Sequence, residues 1–171
     1  MALTDLKKFL ADQSKEELQE EILILYKNFK NIKEFYDSQF SSTDSITILN
    51  KYKKQIEKEF FPTRGIGNPK LSIIRKIIND YKKVIGIHPH LIDLAFFYVE
   101  QGVQYACEYG DIHEPFYESM ENMYLQALEW SSDLVYLNEV QERAKKICLQ
   151  ASRTGYGFQD ILTDNYEQFY Q

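Results

Sequence analysis

Apolar residues recur along this chain at intervals of three and four. Leu18, Ile22, Leu25 and Phe29 follow i, i+4, i+7, i+11, which is one face of a helix. Ser14 and Glu17 stand ahead of that run as a capping box. Upstream, Leu3, Leu6, Phe9 and Leu10 predict a short first helix capped by Thr4; downstream, Ile32, Phe35, Tyr36 and Phe40 predict a third. The tract Ser41-Ser42-Thr43-Asp44 reads as a turn that caps a fourth helix, with Leu49, Tyr52, Ile56 and Phe60 on its inner face and Pro62 as its stop. After the Gly-rich TRGIGN, Asn68 and Pro69 are expected as N-cap and first residue of a fifth helix, burying Ile74, Ile77, Ile78, Tyr81 and Ile85. Gly86 should end it, and Pro89 should open a sixth helix reaching about Tyr109, with Leu91, Ala95, Val99, Val103 and Ala106 inside. A seventh helix is expected from His113–Pro115 onward, with Tyr117, Met120, Tyr124, Ala127 and Leu128 inward. An eighth carries Leu137, Val140, Ala144, Ile147 and Ala151, and a short closing helix runs around Phe158 to Phe169.

No alternating strand pattern with hairpin turns interrupts this periodicity, and no repeat of fixed length is visible. The expected fold is all-α: a single domain over residues 1–171, a packed helical bundle of about eight helices. A chain of 171 residues is long enough for a substantial core. It has no run of about 18 apolar residues, so no membrane span is expected. The charged start MALTDLKKFLADQSKEELQEE lacks the apolar centre of a signal peptide. Cys107 and Cys148 fall in helical patterns and are expected to be reduced thiols filling the core of a cytoplasmic protein.

Charge changes the picture. Residues 51–83 hold ten Lys or Arg against three Asp or Glu, whereas residues 84–142 hold eleven acids and no Lys or Arg. Asp93, Glu100, Gln104 and Glu108 share one stripe of the sixth helix, and Glu114, Glu118 and Glu121 share one of the seventh. Short connections between the helices lead us to expect that these acids mainly balance the basic block within the same molecule; if Lys76 and Lys83 face the stripe, they are candidates to meet Glu118 and Glu121.

Three chemistries compete for these residues. A metal site would draw on Asp111, His113, Glu114 and Glu118, with His88 and His90 as extras. The paired Glu-x-x-His motifs of a bundle di-metal site are missing, as are HExxH and an EF-hand loop. Helix capping and first-turn acidity explain Asp111, His113 and Glu114 better, and turn chemistry explains His88 and His90. An anion site would use FFPTRGIGNPK, residues 60–70, with Arg64 and Lys70, but neither a P-loop nor a dinucleotide motif is present, and an interhelical linker is the better reading. A nucleic-acid surface would combine the basic block with Tyr52, Phe60, Phe61 and Tyr81; these rings fall on or near core faces, so no nucleic-acid partner is expected. No nucleophile-elbow motif supports Ser-His-Asp chemistry.

The stretches LKKFLADQSKEELQEEILILYKNFKNIKEFYD, KYKKQIEKEFFP and IDLAFFYVEQGVQYACEYGDIHEPFYESMENMYLQALE resemble a bacterial family of small uncharacterised helical proteins, a domain of unknown function. VEQG at 99–102 and YGDIHEPFYESM at 109–120 carry the most specific part of the likeness. The resemblance covers nearly the whole chain. It implies a single cytoplasmic bacterial domain and brings no activity, ligand or catalytic residue with it.

The leading expectation is therefore a non-enzymatic interaction or binding module with no cofactor and no catalytic residue. Its possible partner contacts are Glu100, Glu108, Glu118, Glu121, Arg64 and Lys70, and its protein partner and oligomeric state are open. The alternative is a metal- or small-ligand-binding protein, which could be an enzyme, using the acidic region Glu100–Glu121.

Overall fold

The computed structural model describes residues 3–40, 42–86, 89–110, 112–132 and 137–170. Among them every regular element is a helix. The order is α1 (Leu3–Ala11), α2 (Lys15–Asn28), α3 (Lys30–Phe40), α4 (Ser42–Phe60), α5 (Leu71–Ile85), α6 (Pro89–Tyr109), α7 (Glu114–Ser131), α8 (Leu137–Gln150) and α9 (Phe158–Tyr170), with one 3-10 turn at Ala151–Arg153. The fold is all-α, as expected, and the nine described α-helices match the eight and the short closing helix read from the pattern. The chain packs as two compact units, Met1–Ser45 and Ile46–Gln171.

In the first unit, the Ser14 capping box starts α2: Ser14 Oγ accepts from the Glu17 N–H at 3.2 Å, and the Glu17 carboxylate accepts from the Ser14 N–H at 2.8 Å. Phe29 in extended conformation separates α2 from α3. The two helices are joined by Tyr26, which donates to Asp37 at 2.7 Å and meets the Tyr36 ring edge-on. Neither α1 nor α2 has a fully buried residue. A unit this short can hide only part of its apolar stripes, and Ile22, Leu23 and Phe29 stay exposed. Two caps differ from expectation. Thr4 lies inside α1, and Ser42 to Asp44 lie inside α4 rather than in a turn before it; Ser41 lies outside the described residues.

The hydrophobic core lies in the second unit. α6 is its axis, packed against α5, α7 and α8, while α9 packs on α7 and α8. α6 is apolar nearly all round, as a helix enclosed by neighbours must be, and it buries Leu91, Leu94, Ala95, Tyr98, Val99 and Val103 among others. α4 adds Ile56 and Phe60, α5 Ile74, Ile78 and Tyr81, and α7 Phe116, Met120 and Tyr124. Gly102 allows α6 and α7 to pack closely at this point, because a Cβ there would overlap the Met120 side chain.

The link from α4 to α5 also departs from expectation. α5 begins at Leu71 with Lys70 at the N-cap position, so Asn68 and Pro69 precede the helix. The physical reason is the packing of Gly67, which is buried: its carbonyl accepts the Tyr105 hydroxyl at 2.8 Å, and a Cβ on it would overlap the Phe60 backbone carbonyl. The chain therefore folds back on the end of α4 before it can start α5. Of the two thiols, Cys148 is buried as expected, but Cys107 is exposed and lies outside the core.

Candidate functional site

Asp93, Phe96, Phe97 and Glu100 occupy i, i+3, i+4, i+7 of α6 and so share one face. Two cations reach that face from other helices. Lys53 of α4 donates to Asp93 at 2.7 Å, and Arg143 of α8 donates to Asp93 at 2.5 Å. Arg143 also grips Glu100 with two nitrogens, Nε to Oε1 at 2.7 Å and Nη2 to Oε2 at 2.9 Å. The planar guanidinium fork suits such two-point binding. The rings complete the arrangement: the Arg143 guanidinium stands 5.6 Å from the centre of Phe96, and the Lys53 ammonium 5.3 Å from that of Phe97. Burial pushes the Asp93 carboxyl up, but the bonds from Lys53 and Arg143 outweigh it and hold the group below its ordinary value. Burial likewise disfavours charge on Arg143, and its bonds to Glu100 and Asp93 more than compensate.

Glu100 is also the edge of a cleft of about 700 Å³ between α6 and the α8 end. Gln104 and Cys107 line it from α6, and Lys146, Ser152 and Arg153 from α8 and the turn after it. The Cys107 thiol donates to the Gln150 carbonyl at 3.7 Å. Lysine-lined grooves lie elsewhere on the same unit: one on α4 with Lys51, Lys54 and Lys58, another between α4 and α5 with Lys58 and Lys76.

The residues singled out for metal binding are spread along a helix start. His113 is the N-cap of α7 without a side-chain capping bond, Glu114 is its first residue and Glu118 is exposed one turn on. Asp111 and His88 lie outside the described residues. Among the described residues no group of three or more His, Cys, Asp or Glu could hold a metal ion. Glu108 is exposed beside Tyr109, and Arg64 and Lys70 are exposed on the packed linker. Phe60 and Tyr81 are fully buried, which removes them as base-stacking surfaces.

Internal charge balance is met in part. Lys53 reaches Asp93 as that idea requires, but Glu100 takes its partner from α8, outside the basic block. Lys83 pairs with Asp80 one turn away, and Lys82 lies over the Trp130 ring at 4.5 Å. Among the described residues no cation pairs with Glu114, Glu118 or Glu121. The register that buries Phe116, Met120 and Tyr124 leaves Glu114 and Glu118 exposed and Glu121 half-buried. Burial, then repulsion from Glu118 and Glu114, pushes the Glu121 carboxyl up.

The model of a family of unknown function, DUF6155, matches residues 1–169. The chain belongs to that family. No curated protein and no solved structure matches it. In this DUF6155 chain, the segment that carried the sequence resemblance is largely the α6–α7 joint. Gly102 receives Met120, and Ser119 exchanges a 2.8 Å hydrogen bond with Tyr98. Phe116 packs against the Tyr105 ring at 5.7 Å. These positions build the core. Sequence reasoning missed Arg143, Lys146 and Arg153 as site residues. The i, i+3, i+4, i+7 set on α6 was a usable signal that acids and rings share a face, but nothing local tells which distant cation meets them.

Proposed function

We propose that this DUF6155 chain is a non-enzymatic, cytoplasmic interaction module that docks a basic protein surface on the acidic strip of α7. The observation that carries this reading is that Glu114, Glu118 and Glu121 have no cation paired with them among the described residues, while the Glu121 carboxyl is raised by burial and by its two neighbours. A fold that tolerates such repulsion on one helix gains nothing in stability from it, and a partner rich in Lys or Arg would relieve it. Like charges at this spacing cost only about 0.2–0.5 kcal/mol per pair, so a folded domain can carry them. No helix among the described residues is long and apolar enough to cross a membrane, and both cysteines are free, which fits a reducing compartment.

The test is capture from the native cell with the immobilised chain, run beside a Glu114→Gln/Glu118→Gln/Glu121→Gln variant. A partner identified by mass spectrometry is then purified and titrated against both proteins at rising salt. The reading expects a basic partner whose affinity falls with salt and is lost in the variant. A partner that binds both proteins equally, with no salt dependence, would overturn it.

A further inference from the structure

We propose that the cleft between α6 and the end of α8 binds a small organic anion through its carboxylate or phosphate group. At about 700 Å³ the cleft is in the size range of small-molecule sites. Its acid, Glu100, is already spent: both of its oxygens are held by Arg143. Lys146 and Arg153 line the same cleft, and no carboxylate pairs with either among the described residues. The carboxyl end of α8 offers them a partial charge of about one half, less than two full cations require. The local surplus in the cleft is thus positive, although it opens beside the most acidic stretch of the sequence. Gln104 and Ser152 add neutral hydrogen-bonding groups that can orient an oxyanion. This inference is independent of the docking strip on α7, since it uses none of the same residues.

Cys107 provides the readout. It lines the cleft and is exposed, whereas Cys148, the other cysteine of the chain, is buried. The rate at which neutral iodoacetamide alkylates Cys107 is followed by mass spectrometry, with Cys148 as internal reference. Inorganic phosphate and citrate are the two probes, each at millimolar concentration, with sodium chloride matched for ionic strength. The expected result is saturable, several-fold protection of Cys107 by at least one probe and none by chloride. Protection by phosphate alone marks a phosphate-bearing ligand, and protection by citrate alone marks a carboxylate. A Lys146→Gln/Arg153→Gln variant, checked for an unchanged melting temperature, should lose the protection. If that variant misfolds, the single Arg153→Gln change should weaken it. Absence of protection by both probes, or equal protection in the folded double variant, would overturn the proposal.

Discussion

The hydroxyl of Tyr105 donates to the carbonyl of Gly67 at 2.8 Å, and this bond pins the α4–α5 linker against α6. The Tyr105 ring meanwhile packs among Phe60, Phe61 and Phe116. Any side chain at Gly67 would overlap the Phe60 backbone, which cannot swing aside as a flexible side chain could. Gly67→Ala should therefore destabilise by about 2–3 kcal/mol, in the range of overpacked cores. Tyr105→Phe keeps the ring and removes only the donor, for a loss of about 1 kcal/mol. Urea unfolding would read both as lower midpoints with an unchanged slope. A Gly67→Ala protein as stable as the parent would show that the linker does not pack in this way.

Asp93 and Arg143 predict a specific acid limb. The Asp93 carboxyl is held below its ordinary value in the folded state, against about 3.9 when unfolded. The unfolded chain thus binds more protons across that interval, and the stability Asp93 supplies is present above about pH 4. It is lost as pH falls through the folded value. Asp93→Asn should flatten the melting temperature's dependence on pH below about 4 and lower it at neutral pH. Arg143→Met should cost about 1–3 kcal/mol at neutral pH, because two partly buried carboxylates lose their fork together. Thermal melts across the acid range test both, and an Asp93→Asn protein with the parent's acid limb would reject the assignment.

Gly102 and Met120 make a second packing test. Alanine at position 102 gains about 1 kcal/mol of helix propensity over glycine. Its methyl, however, would overlap a fully buried methionine, and overpacking costs about 1–3 kcal/mol. The net expectation is a loss of about 1 kcal/mol. Met120→Ala vacates the same space, so Gly102→Ala should be tolerated better in that background than in the parent. A double-mutant cycle measures this coupling, and additive losses would mean that the two residues do not meet.

Helix positions were legible because burial imposes the 3.6-residue period directly on residue type. Ile74, Ile78 and Tyr81 were read as an inner face and are fully buried. The capping box of Ser14 and Glu17 was legible for a different reason, because it is exposed but both partners lie within one turn. The start of α5 was not, because Gly67 answers to Tyr105, 38 residues away. The exposure of Cys107 was hidden similarly. It follows Ala106, which is buried, and only the arrangement of α8 beside α6 decides which side of the helix opens to a cleft. Arg143 stands outside the basic block that composition brought forward, yet it makes the most bonds to the α6 acids.

The α7 strip separates internal balance from external docking by the sign of a stability change. The Glu121 carboxyl is raised by burial and by Glu118 and Glu114. A carboxyl raised in the folded state favours folding at low pH, where it is protonated. That contribution is lost as pH rises from the unfolded value, about 4.3, through the higher folded one. At neutral pH the strip therefore opposes folding, by roughly 0.2–0.5 kcal/mol for each repelling pair. Glu118→Gln/Glu121→Gln should raise the melting temperature at neutral pH by about 1–3 °C in low salt. The gain should shrink as salt screens the repulsion and vanish at a pH where Glu121 is protonated in the parent. If these acids instead balanced the lysines of α4 and α5, the same variant would melt lower in low salt, and a Lys76→Glu/Lys83→Glu change in the parent would cost as much. A lower melting temperature at neutral pH would thus restore the internal pairing and remove the basis for a docking strip on α7.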